Sequence, residues 1–185
     1  MATLSVGGTT VFDGSALQSG VTGSPTSLNV PTHLSQWLVT TAFGWGSGTN
    51  VWTANWAITP STRGYSTLGA EMSQSSGVFT FPVTGYWLVE FNCMGRGNSA
   101  APNMEAHIQT TVDGSAYLTA AQRSLFSTAD ATKTSTNVKF LFDVTSVSTH
   151  KVRFATEYVN SVNGYHDASS TINKNGATFI RLGAT

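Results

Sequence analysis

Histidine, cysteine and carboxylate side chains are the groups of this chain that could do chemistry. The four histidines, His33, His107, His150 and His166, are scattered. None stands two residues from another, and no His-Glu-x-x-His pattern is present, so spacing points to no metal centre. His166-Asp167 follows an Asn163-Gly164 turn signal and reads as a loop pair. Cys93 is the single cysteine, which rules out an internal disulfide and any paired-cysteine metal site. It reads as a small buried hydrophobe. Glycoside hydrolysis would need two positioned carboxylates. Glu90 and Glu105 are candidates, and solvated or interfacial carboxylates are the simpler reading. Gly44-Trp45-Gly46-Ser47-Gly48 lacks the strand-to-helix setting of a nucleophile elbow and the lysine of a phosphate loop. The expectation is a protein that is not an enzyme and carries no cofactor.

Binding chemistry has one candidate. Trp37, Phe43, Trp45, Trp52 and Trp56 cluster in a segment rich in Gly and Ser. Aromatic rings in such loops can stack on sugars. Ordinary core packing is the competing reading, because Trp37 and Trp52 sit in strand-like runs. Trp45 is the best exposed exception.

The elements that must position these groups are strands. In Gly85-Tyr86-Trp87-Leu88-Val89-Glu90-Phe91-Asn92-Cys93, the residues Trp87, Val89, Phe91 and Cys93 share one apolar face. Tyr86, Leu88, Glu90 and Asn92 form a mixed face, either wet or pressed against a neighbour. Alternation returns with Val138, Phe140, Phe142 and Val144 inward and Lys139 and Asp143 outward. Val152, Phe154 and Tyr158 share a face of the next run. Ala106, Ile108, Thr110 and Val112 form another, opposed by Glu105, His107, Gln109 and Thr111. Weaker strands are expected at 36–43, 51–58, 78–81 and 177–182. Asp113-Gly114 marks a hairpin, and Asn163-Gly164 and Asn175-Gly176 are similar signals. Many short strands with close turn signals predict an all-β sandwich or jelly roll.

Bulk properties agree. At 185 residues the chain suits one ordinary domain with an appended arm. Only 10% of residues are charged, against roughly 25% in an average soluble protein. Basic and acidic residues cancel, so no net field draws the chain to nucleic acid or an anionic membrane. A surface of hydroxyls and amides costs less to desolvate than one of ions, which suits life in an assembly. No signal-peptide pattern opens the sequence, no run approaches the ~18 apolar residues of a membrane helix, and no Asn-x-Ser/Thr acceptor is present. The expectation is synthesis and assembly in a cytoplasm. Residues 1–32 are expected to form an extended N-terminal arm and residues 33–185 the sandwich. Leu4, Val6, Val11 and Phe12 would anchor the arm to a partner, the alternative being a flexible leader.

Two stretches carry a family resemblance. Gly77-Val78-Phe79-Thr80-Phe81-Pro82-Val83-Thr84-Gly85-Tyr86-Trp87 resembles the Phe-Thr-x-Pro-Val-x-Gly-x-Tyr signature of the complement globular-head and tumour-necrosis-factor (TNF) superfamily. Asn175-Gly176-Ala177-Thr178-Phe179-Ile180-Arg181-Leu182-Gly183 is similar to that family's last strand. Pro82 cannot donate to a ladder and ends a strand, and Gly85 permits the turn that follows. The resemblance implies a homotrimer of TNF-like jelly rolls whose inner sheets meet on a threefold axis. Tyr86, Leu88, Glu90, Asn92, Phe179, Ile180 and Leu182 would then lie at the trimer contact. The opening Leu4-Ser5-Val6-Gly7-Gly8-Thr9-Thr10-Val11-Phe12-Asp13 looks like that of tailed-bacteriophage fibre and virion proteins. The expected function is therefore a capsid decoration (cement) protein that binds the major capsid protein on the virion surface. The alternative is a tail- or head-fibre tip that binds a host surface glycan through the Trp45 region.

Overall fold

The computed structural model describes residues 4–6, 9–12, 31–97, 103–126, 132–158 and 164–185. The chain forms two compact units, Met1–Val30 and Pro31–Thr185. In the first, β1 (Leu4–Val6) and β2 (Thr9–Phe12) pair as an antiparallel hairpin, so this part of the expected extended arm is folded back on itself. The side chains of Leu4, Val6, Val11 and Phe12 lie outside the described residues, as does that of Trp45.

The second unit is built from β3 (His33–Val39), β4 (Phe43–Trp45), β5 (Gly48–Val51), β6 (Trp56–Ile58), β7 (Ser73–Ser75), β8 (Val78–Thr80) and β9 (Gly85–Gly97). Then come β10 (Asn103–Thr111), β11 (Leu118–Phe126), β12 (Thr134–Val144), β13 (Lys151–Tyr158), β14 (Gly164–His166) and β15 (Gly176–Gly183). A single 3-10 turn, Ser61–Arg63, is the one helical element among the described residues. One sheet runs β11-β10-β13-β8-β7, with β5 continuing the β8 edge of β13. The other runs β12-β9-β15-β3-β6, with β14 and β4 extending it beyond the far end of β15. Every pairing is antiparallel.

The two sheets close on an aromatic core, as period-two alternation demands. Trp87, Val89 and Phe91 are fully buried, with Cys93 beside them. Phe91 stacks on Phe154 of the opposite sheet at 4.7 Å between ring centroids. Phe79 meets Phe179 at 5.1 Å, and Phe81 meets Trp87 at 5.2 Å. Trp52 and Trp56 are core residues too, and Trp37 packs on Phe79, so the core reading of these tryptophans holds. Val138, Phe142, Val144, Val152, Phe154 and Tyr158 all point inward as their alternation predicts.

Strand β10 and the turn after it differ from the sequence reading. Val112 lies beyond the last β10 residue and is 62% exposed, so it is not core. His107, Gln109 and Thr111, expected outward on β10, are nevertheless buried. Long neighbours cover part of that face: Arg153 donates from Nε to Gln109 and lies over the Tyr117 ring. The Asp113-Gly114 turn is wider than a two-residue hairpin loop. Asp113 Oδ1 accepts from the Ser115 and Ala116 amides, and these bonds hold its carboxyl below the ordinary range.

Candidate functional site

The outward face of the β12-β9-β15-β3 sheet is ordered into rows by strand register. Leu141 pairs with Leu88, Leu88 with Ile180, Ile180 with Leu34, and Leu34 with Leu68 through an isolated bridge. Directly opposed residues share a sheet face, so these aliphatic side chains form one stripe across β12, β9, β15 and β3 to Leu68. Leu141 is 63% exposed and Leu68 49%. Leu34, Leu88 and Ile180 are half-buried. Tyr86, one rung away on β9, is 48% exposed and stands opposite Asp143.

The next rows are polar and self-satisfied. Lys139 forms an ion pair with Glu90, its direct partner in register. Thr178 follows on β15 and Gln36 on β3, joined by a side-chain hydrogen bond. Beyond them Asn137 donates to Asn92 at 2.6 Å. Groups already bonded to one another cost less to cover than free ones, so these two rows can be buried without stranding the Lys139 or Glu90 charge.

Of the residues expected at this face, the structure brings together Tyr86, Leu88, Glu90, Asn92 and Ile180. Phe179 is a correction. It is fully buried against Val89 and the core rings, because adjacent strand residues point to opposite faces and it cannot share one with Ile180. Leu182 lies past Arg181, where β15 slips register, and is 39% exposed. Leu34, Leu68 and Leu141 escape a sequence reading because only strand register places them beside Leu88.

The Gly85 corner holds the end of this face. Gly85 has φ 139, and a Cβ there would lie 2.3 Å from the Gly183 carbonyl oxygen. Arg181 closes the same corner by donating to the Thr84 carbonyl and the Thr32 hydroxyl, both at 2.9 Å.

A second arrangement looks catalytic and is not. Cys93 Sγ lies 3.8 Å from His166 Nδ1, the composition of a thiol–imidazole pair. Both side chains are buried in the core. Burial raises the thiol's pKa far above its ordinary value and lowers the histidine's well below its own. A nucleophilic pair needs the opposite shifts and access for a substrate. His166 is therefore a core histidine on β14, not a loop residue. Trp52 Nε1 donates to Thr156 Oγ1, Thr156 faces His166 Nε2 at 3.1 Å, and His166 Nδ1 faces the Met94 carbonyl at 3.2 Å. A neutral ring protonated on Nδ1 satisfies every link of that chain.

A cleft of about 530 Å³ opens beside the β3–β6 edge, lined by Gln36, Thr59, Arg63, Tyr65, Thr171 and Asn173. Thr59 Oγ1 and Asn173 Oδ1 are buried there without a hydrogen-bond partner. Among the described residues, no helix is long and apolar enough to cross a membrane.

Two antiparallel sheets packed face to face in this strand order define a TNF-like jelly-roll sandwich. The chain is similar in structure to Eiger TNF from S. frugiperda, with TM-score 0.58 and 11% identity over 84% of this chain and 96% of that one. It is similar also to murine APRIL at pH 8.5, with TM-score 0.52 and 10% identity over 81% of this chain and 98% of that one. A second murine APRIL structure, at pH 8.0, gives TM-score 0.53 and 9% identity over 81% and 98%. At these identities the likeness is one of fold. No family model and no curated protein sequence matches the chain.

Proposed function

We propose that this chain is a non-enzymatic structural protein of a tailed-bacteriophage particle, a capsid decoration protein that binds the shell as a homotrimer. The observation that carries self-association is the aliphatic row Leu141–Leu88–Ile180–Leu34–Leu68. A contiguous apolar stripe flanked by internally bonded polar rows on one side is the pattern of a face meant to be covered. It coincides with the sheet that the family resemblance assigns to a threefold contact. The virion setting is supported by the N-terminal opening and the sparsely charged surface, which suits extensive contact with other proteins. A trimer matches the local threefold axes of an icosahedral shell, and bridging neighbouring capsid subunits adds interface without chemistry.

A second reading, a fibre tip that binds host surface glycan, is favoured by the cleft at Arg63 and Tyr65. Tyr65 offers a ring on which a sugar can stack, and Arg63 and Gln36 beside it offer hydrogen-bond donors. Light scattering on the recombinant chain, followed by co-sedimentation with capsids stripped of it, tests both. A trimer that rebinds shells in numbers near their local threefold sites supports decoration. A trimer that ignores shells and retains host polysaccharide supports the fibre tip. A monomer that does neither overturns the proposal.

A further inference from the structure

On the outward face of the other sheet, register creates a juxtaposition that electrostatics alone would not favour. Glu105 on β10 and Glu157 on β13 are direct cross-strand partners. Like charges in that position repel and destabilise a sheet. Among the described residues neither carboxylate is paired with a lysine or arginine. What faces them instead is His107, two residues along β10 on the same face, with its Nε2 3.3 Å from Glu105 Oε2.

We propose that Glu105, His107 and Glu157 form a divalent-metal site, with zinc the ion whose chemistry they fit best. One donor atom from each residue lies within 4.8 Å of the other two. Donors held about 2.0–2.1 Å from a tetrahedral zinc stand about 3.3 Å apart, which matches the His107–Glu105 separation. That separation is longer than the roughly 2.7–2.9 Å of a strong charge-assisted hydrogen bond. Imidazole with carboxylates is a donor set suited to zinc, and three protein ligands leave a position for water or a partner's side chain.

A second observation concerns the imidazole itself. The His107 side chain is 4% exposed, and its Nδ1 is buried with no hydrogen-bond partner. An orphaned buried nitrogen is costly, and the ring is held only through Nε2, the nitrogen aimed at the carboxylates. The carboxylates, by contrast, are oriented from outside. Gln122 Nε2 donates to Glu105 Oε2 at 3.3 Å, and Thr49 Oγ1 donates to Glu157 Oε2 at 3.2 Å. Such outer hydrogen bonds are the usual means of fixing metal-binding carboxylates. An ion there would cancel the Glu105–Glu157 repulsion and tie β10 to β13, with β11 and β5 attached through Gln122 and Thr49.

Isothermal titration of the full chain with ZnCl2 at pH 7.5, beside the variants E105Q, E157Q and H107N, tests this. The expected result is one Zn²⁺ per chain at micromolar affinity or tighter, with a zinc-dependent rise in melting temperature. Each variant should bind more weakly by at least the ~10–100-fold that loss of an outer-shell partner costs. Should buried H107N fail to fold, E105Q and E157Q decide, since both positions are partly exposed and keep their shape as amides. Absence of heat and of any thermal shift in the unmodified chain overturns the proposal and leaves an ordinary ion pair. Undiminished affinity in E105Q and E157Q overturns it equally, placing the zinc on other histidines.

Discussion

Leu88 on β9 and Ile180 on β15 stand directly opposite each other on the outward face of their sheet, at the centre of an aliphatic row. Covering a Leu or Ile side chain fully contributes about 1.5–3 kcal/mol, part of which association entropy consumes. Placing Asp at both positions puts carboxylates where a neighbour's aliphatic groups would lie. The double variant L88D/I180D should therefore run as a monomer by light scattering under conditions where the unmodified chain is a trimer. Its far-ultraviolet circular dichroism should not change, because both side chains point away from the core. A trimer of undiminished stability in the double variant would place the contact on another surface.

The corner at Gly85 is a different kind of constraint. At φ 139 a side chain is strained whatever the space, and here a Cβ would also press on the Gly183 carbonyl and the Arg181 guanidinium. Backbone strain of this kind costs roughly 1–3 kcal/mol before any clash is counted. G85A should lower the midpoint of chemical denaturation by at least that equivalent. R181A should cost less, since it removes hydrogen bonds to a carbonyl and a hydroxyl that solvent can replace. Equal stability of G85A and the unmodified chain would mean that the corner relaxes freely.

How far the sequence reveals the fold depends on the range of the interaction. Trp87, Val89, Phe91 and Cys93 declare their inward face because alternation is local, and the structure buries all four. The same rule, applied strictly, separates Phe179 from Ile180; grouping them on one contact face is a one-residue error of orientation. Leu34, Leu68 and Leu141 carry no local sign of belonging with Leu88, because register between distant strands is a tertiary property. Glu105 and Glu157 are hidden for the same reason, although Glu105-x-His107 on a strand is by itself a signal of two ligands on one face. Thr111, Gln109 and His107 show where alternation fails: all three are buried on the face that local polarity marks as wet, Gln109 beneath Arg153. His166 was legible only as a turn-adjacent histidine, since its burial depends on Trp52, Thr156 and Met94, each from another element.

His166 makes stability depend on pH with a definite sign. Burial holds its pKa well below the ordinary value of 6.5, opposed only weakly by the hydrogen bond to the Met94 carbonyl. Among the described residues it meets the Trp52 and Phe43 rings, the Thr156 hydroxyl, the Cys93 thiol and that carbonyl. Between the folded and unfolded values the unfolded chain binds the extra proton, so stability rises with pH across that window. The contribution is complete above about pH 6.5 and is lost progressively as pH falls through it. His33 shifts in the same direction, through burial first and the Arg181 charge second, and its exposure makes its share smaller. Melting temperature should therefore fall between pH 7.5 and pH 5, before most carboxylates titrate. H166Q cannot take the proton; it should melt lower at pH 7.5 and show a flatter pH dependence over this range. An unchanged slope in H166Q would assign the acid sensitivity to His33 instead.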